Sequence, residues 1–305
     1  MAAMGDSISA ALFAGTSLDD STATVTVDEV TASWRGWSFF ERKDTLSWSS
    51  GKDINSHYMR LRDYLKSTEG LELEVINTAA TGNRAEDLLG QARQVADAMR
   101  SGEYRALKYV TLMVGANDVC SGETAEGTPS GVMRGSIKAA LAVLAAVPQQ
   151  EPVRVLVSGI PNVPTVSSFR NEGIMLGLTC GGLWVRAGIC DGMLGWSNES
   201  ELHQRVDIVR GRNDVIKQAV AEAALENPNL KLHYTERIFN QTYVTTDMAV
   251  DCFHPNERSQ RRIAEELWKE QVWFPPTEEV QTVNGQRLQA AGERVGGMLG
   301  SLPSF

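Results

Sequence analysis

The chain is short of the features that mark most alternative functions. It has four cysteines and four histidines in 305 residues, and no two cysteines stand in C-x-x-C spacing. A zinc module is therefore not expected, and no other metal or cofactor motif is present. There is no basic run, and the net charge is −9 with a pI near 5.1. That balance argues against nucleic acid as a partner and against capture by anionic membrane surfaces. No apolar stretch comes near the ~20 residues a membrane-spanning helix needs. Neither a G-x-G-x-x-G fingerprint behind a strand nor a G-x-x-x-x-G-K-[ST] loop occurs, so a nucleotide-binding α/β protein ranks lowest. No secretory leader is visible where Met1-Ala2-Ala3-Met4 runs into Gly5-Asp6-Ser7. Four residues are a stub for a strand that must deliver a reactive loop, so a preceding segment, cleaved or trimmed, is expected.

Hydrophobic residues make up 42% of the chain, enough to bury a core in one large domain or two ordinary ones. Strand and helix patterns alternate, which predicts an α/β fold with a mainly parallel sheet. Strands are predicted at 1–4, 71–77, 109–114, 153–158 and 230–234. Helical periodicity covers 54–67, 84–100, 131–146, 200–225 and 257–271. The stretch 164–196 is irregular, rich in glycine and long enough to carry function. After Phe274-Pro275-Pro276 the composition turns polar and glycine-rich. Residues 1–276 are therefore expected to form the main domain, with 277–305 an appended tail, helical between 286 and 295 or flexible.

Four short segments carry chemistry. Ser7, in Gly5-Asp6-Ser7, follows an apolar strand end; Gly5 permits a tight exit and Asp6 can brace the loop. A serine hydroxyl becomes a nucleophile only beside a base. Asp251 and His254 stand three positions apart, so on one turn the carboxylate can reach Nδ1 and leave the other ring nitrogen for the serine. Pro255 keeps His254 out of regular helix. Gly82 and Asn117 each follow a predicted strand. A bare backbone N–H at Gly82, the amide of Asn117 and the N–H of Ser7 are the expected donors to a developing oxyanion. Each segment alone reads more readily as an ordinary turn or surface group. Together they lie where open α/β sheets bind ligands, beyond the carboxyl ends of strands.

Cysteine position adds an expectation. Four cysteines allow three pairings. Should Asn117 and His254 share a site, Cys120 and Cys252 come close and bridge; Cys180 and Cys190 then pair locally around a glycine-rich loop. Two bridges imply an oxidising, secreted or otherwise extracytoplasmic location; four buried free thiols are the alternative.

The order of the segments, the serine near the start and the Asp-x-x-His spacing resemble the SGNH hydrolases, or GDSL esterase/lipase superfamily, over roughly residues 1–271. Trp34-Arg35-Gly36-Trp37-Ser38, Asn77-Thr78-Ala79, Gly115–Cys120 and Asp251-Cys252-Phe253-His254 are similar to the phospholipase B-like branch. The resemblance implies a flavodoxin-like three-layer α/β/α sandwich, Ser7 as nucleophile, His254 as base, Asp251 as its orienter, and Ser7, Gly82 and Asn117 as oxyanion donors. It also implies a lipid or phospholipid ester as substrate, with a carbohydrate O-acetylesterase as the alternative and a non-catalytic binding protein on the same fold a less favoured one. Ile8 departs from the family's Leu, and the tail has no counterpart. His57, His203 and His233 lack partner patterns and are expected on surfaces or helix faces. Trp34, Trp37, Phe39, Phe40 and Trp48 are expected in core or lid packing.

Overall fold

Short strands of Ala, Val, Leu and Met that alternate with amphipathic helices must be covered on both faces. The computed structural model, which describes residues 1–18, 44–120, 128–174, 178–195 and 198–275, shows this arrangement. Five parallel strands, β1 (Ala2–Gly5), β2 (Ile76–Asn77), β3 (Tyr109–Met113), β4 (Val153–Ser158) and β5 (Leu230–Thr235), lie in the order β2-β1-β3-β4-β5. Every residue of β1 and β3 is buried. The helices are α1 (His57–Glu69), α2 (Leu88–Arg100), α3 (Ala116–Cys120), α4 (Ser130–Ala145), α5 (Cys180–Ala187), α6 (Asp191–Leu194), α7 (Glu199–Glu226) and α8 (Glu257–Glu270). On one face α4 packs between α2 and α7. On the other, α1 and α8 meet over β3, where the His57 ring lies edge-on to Trp268 at 5.2 Å and stacks on Tyr109 at 5.9 Å. This is a flavodoxin-like three-layer sandwich, and its right-handed crossovers account for which helices share a face.

The expected strand over 71–77 shortens to Ile76–Asn77. It is an edge strand whose ladder meets β1 only at Ala2 and Ala3, and Leu71 is exposed, so the alternating pattern upstream has no neighbour to pair with. The irregular stretch holds a 3-10 segment, Val163–Phe169, and helices α5 and α6. His57 opens α1, but not on an exposed face. It is fully buried, hydrogen-bonded through Nδ1 to the Tyr109 hydroxyl at 2.9 Å, and burial lowers its pKa to about 3. Trp48 packs edge-on against it at 5.2 Å. The other four aromatic residues of that stretch and the tail beyond residue 275 lie outside the described residues.

The disulfides also correct the expected pairing. Cys120 bonds Cys190, and Cys180 bonds Cys252, in place of Cys120–Cys252 and Cys180–Cys190. The reason is helical: Cys180 opens α5 and Cys190 lies beyond its end. An eight-residue helix is roughly 12 Å long, too far for the Cα separation a disulfide tolerates. Each cysteine instead meets a neighbour across a loop. Cys120 ends α3 beside α6, and Cys252 faces α5, where Trp184 donates its indole N–H to the Asp251 carbonyl at 3.2 Å.

Gly5, the last residue of β1, has φ +144°, and a Cβ built there would stand 2.0 Å from the Met113 carbonyl oxygen. Its backbone is also clasped by the Gln91 amide, which accepts from Gly5 N–H at 2.8 Å and donates to Gly5 C=O at 2.7 Å. Gly5→Ala is expected to cost about 2–5 kcal/mol in urea denaturation, from overpacking and backbone strain together. Peptide mapping without reductant is expected to recover Cys120–Cys190 and Cys180–Cys252 linked peptides.

Candidate active site

In this strand order the winding of the connections reverses between β1 and β3, and a ligand crevice opens at the carboxyl ends of those two parallel strands. Ser7 emerges there, two residues past β1. Asp6 N–H donates to the Met113 carbonyl at 3.3 Å, and the Asp6 carboxylate accepts from Ile8 N–H at 3.0 Å. The following turn is closed by Ala10 N–H to the Asp6 carbonyl and Leu12 N–H to the Ser7 carbonyl, both 3.0 Å. From α8, Gln260 donates to the Ile8 carbonyl at 3.0 Å while accepting from Trp48 N–H at 2.9 Å. The serine loop is thereby tied to β3 on one side and to α8 on the other.

His254 arrives on the loop that precedes α8. Asp251 Oδ1 accepts from the backbone N–H groups of Phe253 and His254, each at 3.0 Å, and Oδ2 accepts from His254 Nδ1 at 2.5 Å. With Nδ1 committed as a donor, Nε2 is the acceptor, and the Ser7 hydroxyl donates to it at 2.9 Å. Cys252 makes this turn with φ +59°, an uncommon conformation for a residue with a Cβ. It is held there by its disulfide to α5 and by its N–H to the Ala249 carbonyl. Asn256 caps α8 by accepting from Ser259 N–H, and its amide donates to the carbonyls of Thr246 and Met248. Phe253 lies edge-on to the imidazole at 5.1 Å. Ser7, Asp251 and His254 are all buried.

Burial alone would raise the Asp251 pKa. The adjoining His254 charge and the hydrogen bonds from His254 and Phe253 outweigh it and hold the carboxyl below its usual range. Asp6 goes the other way. Burial drives its pKa up and Asp118 adds to the rise, the hydrogen bond from Ile8 and the nearby His254 oppose it, and the net is about 7. Its Oδ2 has no hydrogen-bond partner. One environment compensates the negative charge and the other does not.

Asn117 lies in the first turn of α3, in the same cleft as Ser7 and His254. Its amide donates to the Asn83 carbonyl at 2.9 Å. Asp118 beside it accepts from Ala85 N–H at 2.9 Å, holding the 78–85 loop against α3. Gly82 occupies the left-handed region on this loop, φ +78°, and is exposed. It adjoins the carbonyl that holds Asn117 but does not line the cleft shared by Ser7, Asn117 and His254. Sequence reasoning overlooked Gln91, Gln260 and Asn256, residues that position the loops. The first two left a signal, a glutamine on the buried stripe of an amphipathic helix, between Leu88 and Val95 in α2 and beside Ile263 and Ala264 in α8. No cluster of potential metal ligands occurs among the described residues.

The family model for GDSL-like lipases and acylhydrolases matches residues 1–267. The chain belongs to that family. Its sequence is 23% identical over 312 residues to membrane-associated phospholipase B1 of Mus musculus, covering 88% of this chain and 19% of that protein. The chain thus spans about a fifth of that relative's length. Among solved structures it is similar to a lipase from a goat rumen metagenome, at 14% identity and TM-score 0.49, covering 88% of this chain and 95% of that one. A Clostridium thermocellum family 3 carbohydrate esterase matches at 14% identity and TM-score 0.44, covering 88% and 94%.

The Asp6 carboxyl binds its proton more tightly in the folded state than in the unfolded chain, where 3.8 applies. Folding therefore loses stability as pH rises from about 4 to about 7, by at most about 1.4 kcal/mol per pH unit, and no further above that. Asp6→Asn removes this contribution. Its stability relative to wild type, read from urea midpoints, is expected to improve across that window and to level off above it.

Proposed function

We propose that Ser7, His254 and Asp251 form the catalytic triad of an esterase acting on lipid or phospholipid acyl chains through an acyl-enzyme. The observation that carries this reading is the continuous hydrogen-bonded chain from Asp251 through both nitrogens of His254 to the Ser7 hydroxyl. In the proposed reaction, Ser7 Oγ attacks the acyl carbon and its proton passes to Nε2. Asp251 keeps Nδ1 protonated and offsets the imidazolium charge. The tetrahedral oxyanion is held by the Asn117 amide and the backbone N–H of Ser7. Collapse expels the alkoxide, which takes the proton from Nε2. Water then gives its proton to Nε2 and attacks the acyl-serine, and the return of that proton to Ser7 releases the acid.

The substrate class rests on the walls of the cleft. Beside Ser7 and His254 it is lined by Ile8, Pro161, Val163, Val166, Met248 and Phe253. Apolar walls suit a hydrocarbon chain, which gains about 0.8 kcal/mol per CH₂ buried. An acetyl group offers little for them to hold, which favours lipid esters over acetylated carbohydrates. The similarity to phospholipase B1 points the same way. No helix among the described residues is long and apolar enough to cross a membrane. The two disulfides support a secreted or otherwise extracytoplasmic location.

Ser7→Ala and His254→Ala are each expected to reduce kcat/KM for p-nitrophenyl butyrate at least about 10⁴-fold with the fold intact by circular dichroism, and Asp251→Asn by about 10⁴-fold. Asn117→Ala is expected to lose about 10²–10³-fold, mainly in kcat. A fluorophosphonate probe should label wild type at Ser7, mapped by mass spectrometry. Full activity in Ser7→Ala excludes the mechanism.

A further inference from the structure

The cleft beside Ser7 contains a second asparagine, Asn162, which the proposed mechanism does not use. It lies beyond the carboxyl end of β4, and its main chain is fixed on both sides. Upstream, Ile160 is clasped by the Asn213 amide, which accepts from Ile160 N–H at 2.6 Å and donates to Ile160 C=O at 3.1 Å. Downstream, the Asn162 carbonyl accepts from Thr165 N–H at 3.1 Å and from the Thr165 hydroxyl at 2.6 Å. Pro161 and Pro164 stiffen the intervening backbone. The side chain stands in contrast to this anchoring. Its Oδ1 is enclosed and has no hydrogen-bond partner, and among the described residues no hydrogen bond reaches its Nδ2. Asn117, the other asparagine of the cleft, is held by the Asn83 carbonyl.

The enclosed atom is out of a ligand's reach, but the other polar atom of the amide is not enclosed and is without a partner among the described residues, on a wall that is otherwise apolar. Binding sites characteristically set a few such polar groups among apolar walls to fix orientation. An amide presents an acceptor and a donor side by side. A hydroxyl can pair with it whichever way the amide is turned. The hydrocarbon chain of an acyl group carries no hydroxyl, whereas a polyol alcohol carries one next to the ester oxygen.

Resting on the ester hydrolase reading above, we propose that Asn162 is a specificity-determining residue that hydrogen-bonds a free hydroxyl on the alcohol half of the ester, so that the preferred substrates are partial esters of a polyol. Glycerol and a sugar supply the same hydroxyl chemistry, and the test separates them.

The experiment compares kcat/KM for glyceryl monobutyrate, butyrylated glucose and propyl butyrate, which share an acyl group and differ in hydroxyls. The proteins are wild type, Asn162→Leu and Asn162→Ala. Asn162→Ala only removes atoms and serves where leucine does not fit. The expected result is a fall of about tenfold or more in the ratio of at least one hydroxylated ester to propyl butyrate in the variants. The hydroxylated ester that wild type turns over faster names the alcohol. Equal losses on all three esters, the signature of a merely structural role, overturn the inference, as do unchanged ratios. Fluorophosphonate labelling of Ser7 is read in parallel. Labelled Ser7 with unchanged ratios removes the role of Asn162 and leaves the esterase standing. Unlabelled Ser7, with none of the three esters hydrolysed by wild type, removes both.

Discussion

The hydrogen bond from Ser7 Oγ to His254 Nε2 joins groups 247 positions apart, and both ends of the fold are arranged around it. At one end, Gly5 lets the backbone pass against the Met113 carbonyl, so the serine loop leaves the sheet where a side chain would collide. At the other, Asp251 spends one carboxylate oxygen on the backbone of the turn and the other on the imidazole. Gln260 of α8 reaches back to the Ile8 carbonyl, so the helix that begins just after the histidine also touches the residue just after the serine. A displacement of either loop would lengthen a 2.9 Å contact, and proton transfer tolerates little lengthening.

Three buried carboxyls surround this contact, and their surroundings sort them. Asp251 accepts from three N–H donors, the His254 imidazole among them, which hold its pKa below the usual range. Asp6 has fewer donors and an oxygen without a partner, which favours the proton. Asp118 is likewise pushed upward by burial, although the Ala85 N–H and the Thr128 side chain oppose the shift. The same side chain thus gives up its proton readily in one place and holds it more tightly in another, and the number of well-aimed donors decides which.

Local chemistry made much of this legible beforehand. Val153–Ser158 was bounded as the fold has it because β-branched residues stop at a Gly-Ile-Pro turn. Ser7, Asp251, His254 and Asn117 were recognisable because their residue types and spacing answer to one reaction, and the structure brings them together. What stayed hidden depends on facts the local pattern does not carry. Strand β2 ends early because its upstream residues lie at an unpaired edge. His57 is buried because Trp48, Tyr109 and Trp268 converge on it from distant positions, and a lone histidine on a helix gives no hint of that. The cysteines pair across the fold because a helix separates Cys180 from Cys190, and the glycines of that stretch suggested a flexible loop. Gly82 sits on the expected turn, but its relation to Asn117 runs through Asn83, which no motif marks.

The strand order has a consequence for how such a chain is made. β1 precedes β2 to β5 in sequence, yet it lies inside the sheet, between β2 and β3. As the polypeptide leaves the ribosome, residues 2–5 cannot find both neighbours until residue 113 has been added. Until then an apolar tetrapeptide, Ala2–Gly5, has nothing to pair with on at least one edge, and such unpaired edges invite aggregation. Vectorial synthesis therefore favours late, concerted closure of the sheet over sequential growth.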